Sequence, residues 1–206
     1  MSKSQNYENR KKVLVVEGYS DLLFYAEVLE YLGKHDQVFI KDLGGKKNLS
    51  LQLDLFLTPD LLVSRESIGI IVDADADALG TSQYVSSALK KATTVDVLDG
   101  VWIGANPKLG FFVAPGNGNA GEVETLVWQA WSKSPQNLPA KQCVDSYLNC
   151  MNQIGFKAHS PDKGRISSLL AVRADEDPRL GPGARENIFD FSLAEFAPLR
   201  NFLSQI

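Results

Sequence analysis

Apolar positions along this chain fall into two kinds of run. Short, nearly unbroken runs predict buried strands over residues 11–16, 37–40, 68–72, 101–103 and 109–113. Between them apolar positions recur every three or four residues, which predicts helices. Residues 21–32 carry Leu22, Leu23, Tyr25, Ala26, Leu29 and Leu32, with Ser20 or Asp21 as the cap and Gly33 as the stop. Further helices are predicted over 49–57, stopped by Pro59, and from Thr81 as cap to about Ala92. Others run over 122–131, over 139–154 with Pro139 in the first turn, from Asp162 as cap to Val172, and over 194–206 with an interruption at Pro198. Residues 175–183, rich in Asp, Pro and Gly, read as a loop, and residues 1–10 as a disordered lead-in.

Strands that alternate with helices predict an α/β fold: a mostly parallel sheet of about four to five strands, covered by helices, with extra helices at the C-terminal end. Residues 11–206 are expected to form a single domain, with a core over 12–114 and a helical extension over 115–206. Ligand sites in such sheets lie at the carboxyl ends of the strands. Glu17, the Gly44-Gly45 turn and Asp73 each follow one of the first three strands there.

Composition narrows the function classes. The net charge of -4 gives no global attraction to nucleic acid, so such a role needs a local basic patch or a metal bridge to phosphate. Cys143 and Cys150 lie seven apart on a predicted helix, too far apart to bridge within it, and are expected to be free, buried thiols. That suits a reducing compartment. The polar first residues lack the apolar centre of a secretion signal, and no apolar run reaches the roughly 20 residues a membrane span needs. A cytoplasmic protein without a membrane segment is the expectation.

The densest chemistry is Asp73-Ala-Asp75-Ala-Asp77, directly after the third strand. Side chains two apart on an extended segment share a side, so Asp73 and Asp75 are expected to point the same way. Like charges at that spacing repel unless a cation lies between them, and a divalent ion with oxygen ligands answers the need. An EF-hand loop would place Gly where Ala78 stands and Glu where Tyr84 stands, which excludes that motif. A haloacid-dehalogenase-type phosphatase also carries Asp-x-Asp after a strand and stays open as an alternative. Asp77 alone reads equally well as a helix cap. Glu17 and Asp21 are alternatively turn and cap residues, Glu122 reads as an exposed first-turn residue, and Glu124 can equally be a surface residue. The tryptophans Trp128 and Trp131, three apart on one helix, read as core.

Val16-Glu17-Gly18-Tyr19-Ser20-Asp21 after a first strand, with Asp73-Ala74-Asp75 after a third, resembles the Toprim domain. That domain occurs in topoisomerases, bacterial primases, recombination proteins and OLD-family nucleases. The Gly44-Gly45 turn sits where that family places a glycine turn. Gly121-Glu122-Val123-Glu124-Thr125-Leu126 is similar to the Gly-x-Leu-Glu-x-Leu segment of the OLD branch, and Asp162-Lys163 to its late lysine. The tail is similar to small stand-alone Toprim-like bacterial proteins of unestablished activity. The resemblance implies a Toprim-like, Rossmann-like fold and divalent-metal-dependent phosphodiester chemistry on nucleic acid, DNA first, as an OLD-like endonuclease in DNA repair or phage defence. Glu17 would act as general acid/base or metal ligand. Asp73 and Asp75 would hold Mg²⁺ or Mn²⁺, aided by Asp21 and Asp77. Glu124 would serve a second metal, and Lys163 would stabilise phosphate charge. Gly44, Gly45 and Lys46 would contact phosphate, although Lys46 and Lys47 read equally as solvated. The chain carries no Gly-x-x-x-x-Gly-Lys-Ser/Thr, so an ATPase would be a partner. A non-catalytic module that binds metal, nucleotide or a protein partner is the alternative, and a homo-oligomer is left open.

Overall fold

The computed structural model describes residues 10–45, 53, 56–175 and 177–206. The expected lead-in before Arg10, Lys46 and Lys47, and most of the helix predicted over 49–57 lie outside the described residues. In chain order the elements are β1 (Lys12–Val16), α1 (Tyr19–Tyr31), β2 (Val38–Asp42), α2 (Pro59–Ser64), β3 (Ser67–Asp73) and α3 (Ala78–Thr93). Then follow β4 (Trp102–Ile103), β5 (Lys108–Ala114), α4 (Val123–Lys133), α5 (Leu138–Gln153), α6 (Pro161–Arg173), α7 (Leu180–Arg185) and α8 (Ala197–Leu203). The fold is α/β and Rossmann-like. Five strands stand in the order β2-β1-β3-β5-β4. The first four are parallel to their neighbours, and β4 lies antiparallel to β5 at the edge.

Side-chain alternation divides the sheet into two cores. Val13, Val15, Ile68, Ile70, Val72, Leu109, Phe111 and Val113 face Val85 and Leu89 of α3, together with Leu53 and Leu57. Leu14, Val16, Ile40, Ile71, Phe112 and Ala114 face α1, α4 and the C-terminal helices. Every residue of β3 is buried, so this strand has no polar face to advertise its period. Asp73, its last residue, belongs by alternation to the α1 and α4 side.

Several boundaries differ from the sequence expectation, each for a local reason. Gly18 caps α1, and Asp21 sits inside the first turn, where its Oδ2 accepts the Gly18 N–H at 3.0 Å. The cap of α3 is Asp77 rather than Thr81, its Oδ1 accepting the Gly80 N–H at 2.8 Å. Ser160, not Asp162, caps α6, and Asp162 pairs instead with Arg165 at 2.7 Å. Pro59 opens α2, where a missing N–H costs nothing. Pro198 likewise lies in the first turn of α8. The stretch expected as loop runs into α7, whose glycines serve close packing. A Cβ on Gly181 would stand 2.3 Å from Cβ of Leu23 on α1, and one on Gly183 would stand 2.5 Å from Leu170 of α6.

Cys143 and Cys150 are free as expected but exposed rather than buried. The inward stripe of α5 is Ala140, Val144 and Leu148, and both thiols lie off it. Trp128 and Trp131 are buried and stacked, centroids 5.3 Å apart. Among the described residues no helix is long and apolar enough to cross a membrane.

Candidate functional site

The carboxyl ends of β1, β2 and β3 meet at one place, and backbone hydrogen bonds hold them. In register, Val16 lies between Asp42 and Ile71, which sets Glu17 beside the end of β3. Oε1 of Glu17 accepts the Asp73 N–H at 2.9 Å. Gly44 and Gly45 turn with φ of 74° and 100°, a region that only glycine enters freely. The Gly45 N–H donates to the Glu17 carbonyl at 2.7 Å, and the Gly44 N–H to Oδ1 of Asp42 at 3.2 Å. The glycine turn thus buttresses Glu17, and both of its N–H groups are engaged within the chain.

The start of α4 closes the site from the other side. Oδ1 of buried Asp73 accepts the Val123 N–H at 2.9 Å. That N–H is a helix-terminal donor without an intrahelical partner, and the helix dipole favours negative charge there. Asp75 departs from the strand: its φ is +51°, and its backbone exchanges two hydrogen bonds with Gly121, at 2.8 and 2.6 Å. Asp75 is exposed while Asp73 is buried, so the two do not share one environment. The alternation rule holds only while the backbone stays extended, and β3 ends at Asp73. Asp75 reaches the site through its backbone, and Asp77 is the exposed cap of α3.

Four carboxylates influence one another here. Burial pushes the Asp73 carboxyl well above the usual carboxylate range, and Asp21, Glu17 and Glu124 push it further while Lys163 opposes them. Burial likewise raises Asp21, against the Gly18 N–H and Lys163. It raises Glu124 too, against Lys163. The Lys163 ammonium is held strongly protonated: burial works against its charge, and Glu124, Asp73 and Glu122 outweigh that. Nζ of Lys163 lies 3.2 Å from Oε2 of Glu122 and 3.7 Å from Oε2 of Glu124. The Glu124 Oε2 atom is buried and has no hydrogen-bond partner among the described residues.

Two members of this environment escaped the sequence reading. Glu122, expected on the surface, bridges α4 to α6, its Oε2 accepting from Oγ of Ser160 at 2.9 Å. The Ser-Pro start of α6 was the only available signal, and it says nothing about a partner 38 residues away. Tyr25 follows Asp21 by one helical turn and is buried. Its phenol is raised well above the ordinary range by burial, then by Asp73, Asp21, Glu124 and Glu17. As one apolar position among many on α1 it carried no separate mark.

Residues 11–206 match the family described as Protein of unknown function (DUF3226). The chain belongs to this family. Neither the curated proteins nor the solved structures contain a match to it. The family therefore names no reaction, and the chemistry rests on the site itself.

The donor set suits a divalent cation with hard oxygen ligands. Glu17, Asp21, Asp73 and Glu124 supply carboxylates around the end of β3, and the Lys163 ammonium opposes the negative charge at Asp73, Asp21 and Glu124. A buried carboxylate oxygen without a donor, as in Glu124, is costly unless a cation satisfies it. Among the described residues no group of three or more His, Cys, Asp or Glu side chains is already gathered as a metal cage. Glu17 and Asp73 are instead engaged with backbone N–H groups at 2.9 Å each.

Proposed function

We propose that members of this family carry out divalent-metal-dependent phosphodiester chemistry on nucleic acid, as endonucleases of the OLD-like Toprim kind acting on DNA. The observation that carries the reading is the joining of Glu17, Asp21, Asp73 and Glu124 with Lys163 at the carboxyl ends of parallel strands. These are residues on which the Toprim resemblance places function, and they come from elements up to 146 positions apart.

In this reading Asp73, Glu17 and Glu124 hold Mg²⁺ or Mn²⁺, with Asp21 one step behind. The cation supplies charge to polarise the scissile phosphate and to lower the pKa of a bound water. Glu17 is placed to take a proton, its carboxylate resting on the Asp73 N–H in the meantime. Lys163 carries a permanent positive charge, half exposed, suited to a phosphate oxygen. Asp75 shapes the Gly121 turn, and Asp77 fixes the start of α3.

A second reading, a non-catalytic module for metal or a partner, draws on one observation: Lys163 already pairs with Glu122 and Glu124 inside the cluster. One experiment separates the two. Supercoiled plasmid is incubated with the protein and Mg²⁺ or Mn²⁺, beside Glu17→Gln and Asp73→Asn. Nicking by the wild type alone supports the nuclease. Metal binding by calorimetry without cleavage of DNA or RNA supports the module, and a generic phosphate ester tests for a phosphatase.

A further inference from the structure

We infer that Lys163 is the built-in counter-ion of the carboxylate cluster, that Glu122 is the positioning residue that holds it, and that a divalent cation and the Lys163 ammonium compete for Glu124. This rests on the cation-binding reading of the site given above.

Lys163 is held at both ends. Its backbone N–H donates to Oγ of Ser160, the cap of α6, at 3.4 Å. Its ammonium lies 3.2 Å from Oε2 of Glu122, and the same Oε2 accepts from Oγ of Ser160 at 2.9 Å. Ser160, Glu122 and Lys163 thus close a ring that joins the starts of α4 and α6. The backbone of Glu122 is fixed as well, its N–H donating to Oγ1 of Thr125 at 3.2 Å.

Glu124 meets the same ammonium differently. Its Oε2 stands 3.7 Å away, outside hydrogen-bond distance, and has no hydrogen-bond partner among the described residues although the residue is only 8% exposed. A buried carboxylate oxygen satisfied by charge alone, without a donor, is incompletely compensated. A small divalent ion would serve it better, with twice the charge at direct contact. Lys163 has a flexible stem and half of its side chain is exposed, so the ammonium can give way. The contact to Glu122 is the anchor, and the contact to Glu124 is the one that exchanges. Glu122 therefore keeps the ammonium at the edge of the site, where it neither blocks Glu124 fully nor leaves.

Mn²⁺ titration by calorimetry on the whole chain tests this with a double-mutant cycle. Lys163→Met keeps the stem and removes the competitor, and is expected to tighten Mn²⁺ binding about tenfold, or about 1.4 kcal/mol. Glu122→Gln leaves the ammonium with Glu124 as its nearest carboxylate and is expected to weaken Mn²⁺ binding. In the Lys163→Met background the same Glu122→Gln change should have no more than about a twofold effect, because nothing remains to be positioned. Lys163→Gln repeats the test should the Met variant fold poorly by circular dichroism. Mn²⁺ binding that is equal or weaker in both Lys163 variants would overturn competition while leaving the cation site intact. Additive effects of the two changes would overturn the positioning role of Glu122. Absence of Mn²⁺ binding in the wild type and in every variant would overturn both this inference and the reading beneath it.

Discussion

Replacing Asp73 by Asn should make the metal-free protein more stable while destroying its proposed use. Oδ1 of Asp73 accepts the Val123 N–H at 2.9 Å, and an asparagine oxygen can accept it equally. What disappears is a buried negative charge pressed by Asp21, Glu17 and Glu124. The new amide is neutral and no longer repels those carboxylates. Burial first, and then these neighbours, hold the folded carboxyl well above its value of about 4 in an unfolded chain. Between the two values the folded state binds more protons than the unfolded state. Stability therefore falls as pH rises from about 4 through the raised folded value, and the penalty is complete above it. Relief in the variant is expected on the order of 1–3 kcal/mol, the usual size for an uncompensated buried group. For chains of this size that corresponds to roughly 2–4 °C in Tm per kcal/mol. The measurement is thermal unfolding by circular dichroism with EDTA, at pH 5 and pH 8. The variant should melt above the wild type at pH 8, with a smaller gap at pH 5. Added Mn²⁺ should then raise the wild-type Tm and leave the variant unmoved. A variant that melts at or below the wild type at pH 8, or a gap that ignores pH, refutes the strained-carboxylate account.

Three further outcomes follow from the same contacts. Asp77→Ala removes the cap of α3 and should cost about 1 kcal/mol in urea unfolding while leaving Mn²⁺ affinity within about twofold, whereas a tenfold loss of affinity would make Asp77 a ligand. Gly110→Ala places a Cβ 2.6 Å from the Trp102 indole, which cannot retreat because it stacks on Phe202 at 4.9 Å and donates to the Phe202 carbonyl at 2.9 Å; a loss of about 1–3 kcal/mol by chemical denaturation is expected. Cys143→Ser with Cys150→Ser alters exposed positions off the packed stripe of α5 and should change stability by no more than about 0.5 kcal/mol, with a larger loss showing that the thiols are packed after all.

How much of this was legible beforehand varies by element. The strands β1, β3 and β5 were plain from unbroken apolar runs, because a parallel strand covered on both faces tolerates few polar residues. The positions of Glu17 and Asp73 at the carboxyl ends of β1 and β3 were readable as well, since each directly follows such a run. Less was readable in the α7 stretch, where Leu-Gly-Pro-Gly has the composition of a loop. Its glycines answer to Leu23 and Leu170, residues far away in sequence. Caps were readable only to within a few positions, as Asp77 against Thr81 and Ser160 against Asp162 show, because several suitable side chains stood close together.

The aspartate run marks the dividing line. Its sequence determined a buried strand ending in acid, because an unbroken apolar run followed by a carboxylate is a local pattern. Only the tertiary structure separated its members. Asp73 is buried against the start of α4, Asp75 is exposed in a left-handed backbone, and Asp77 caps α3. It also brought Glu122 and Ser160 together around Lys163. Those assignments depend on which helix start lies against which strand end, and packing over long separations sets that.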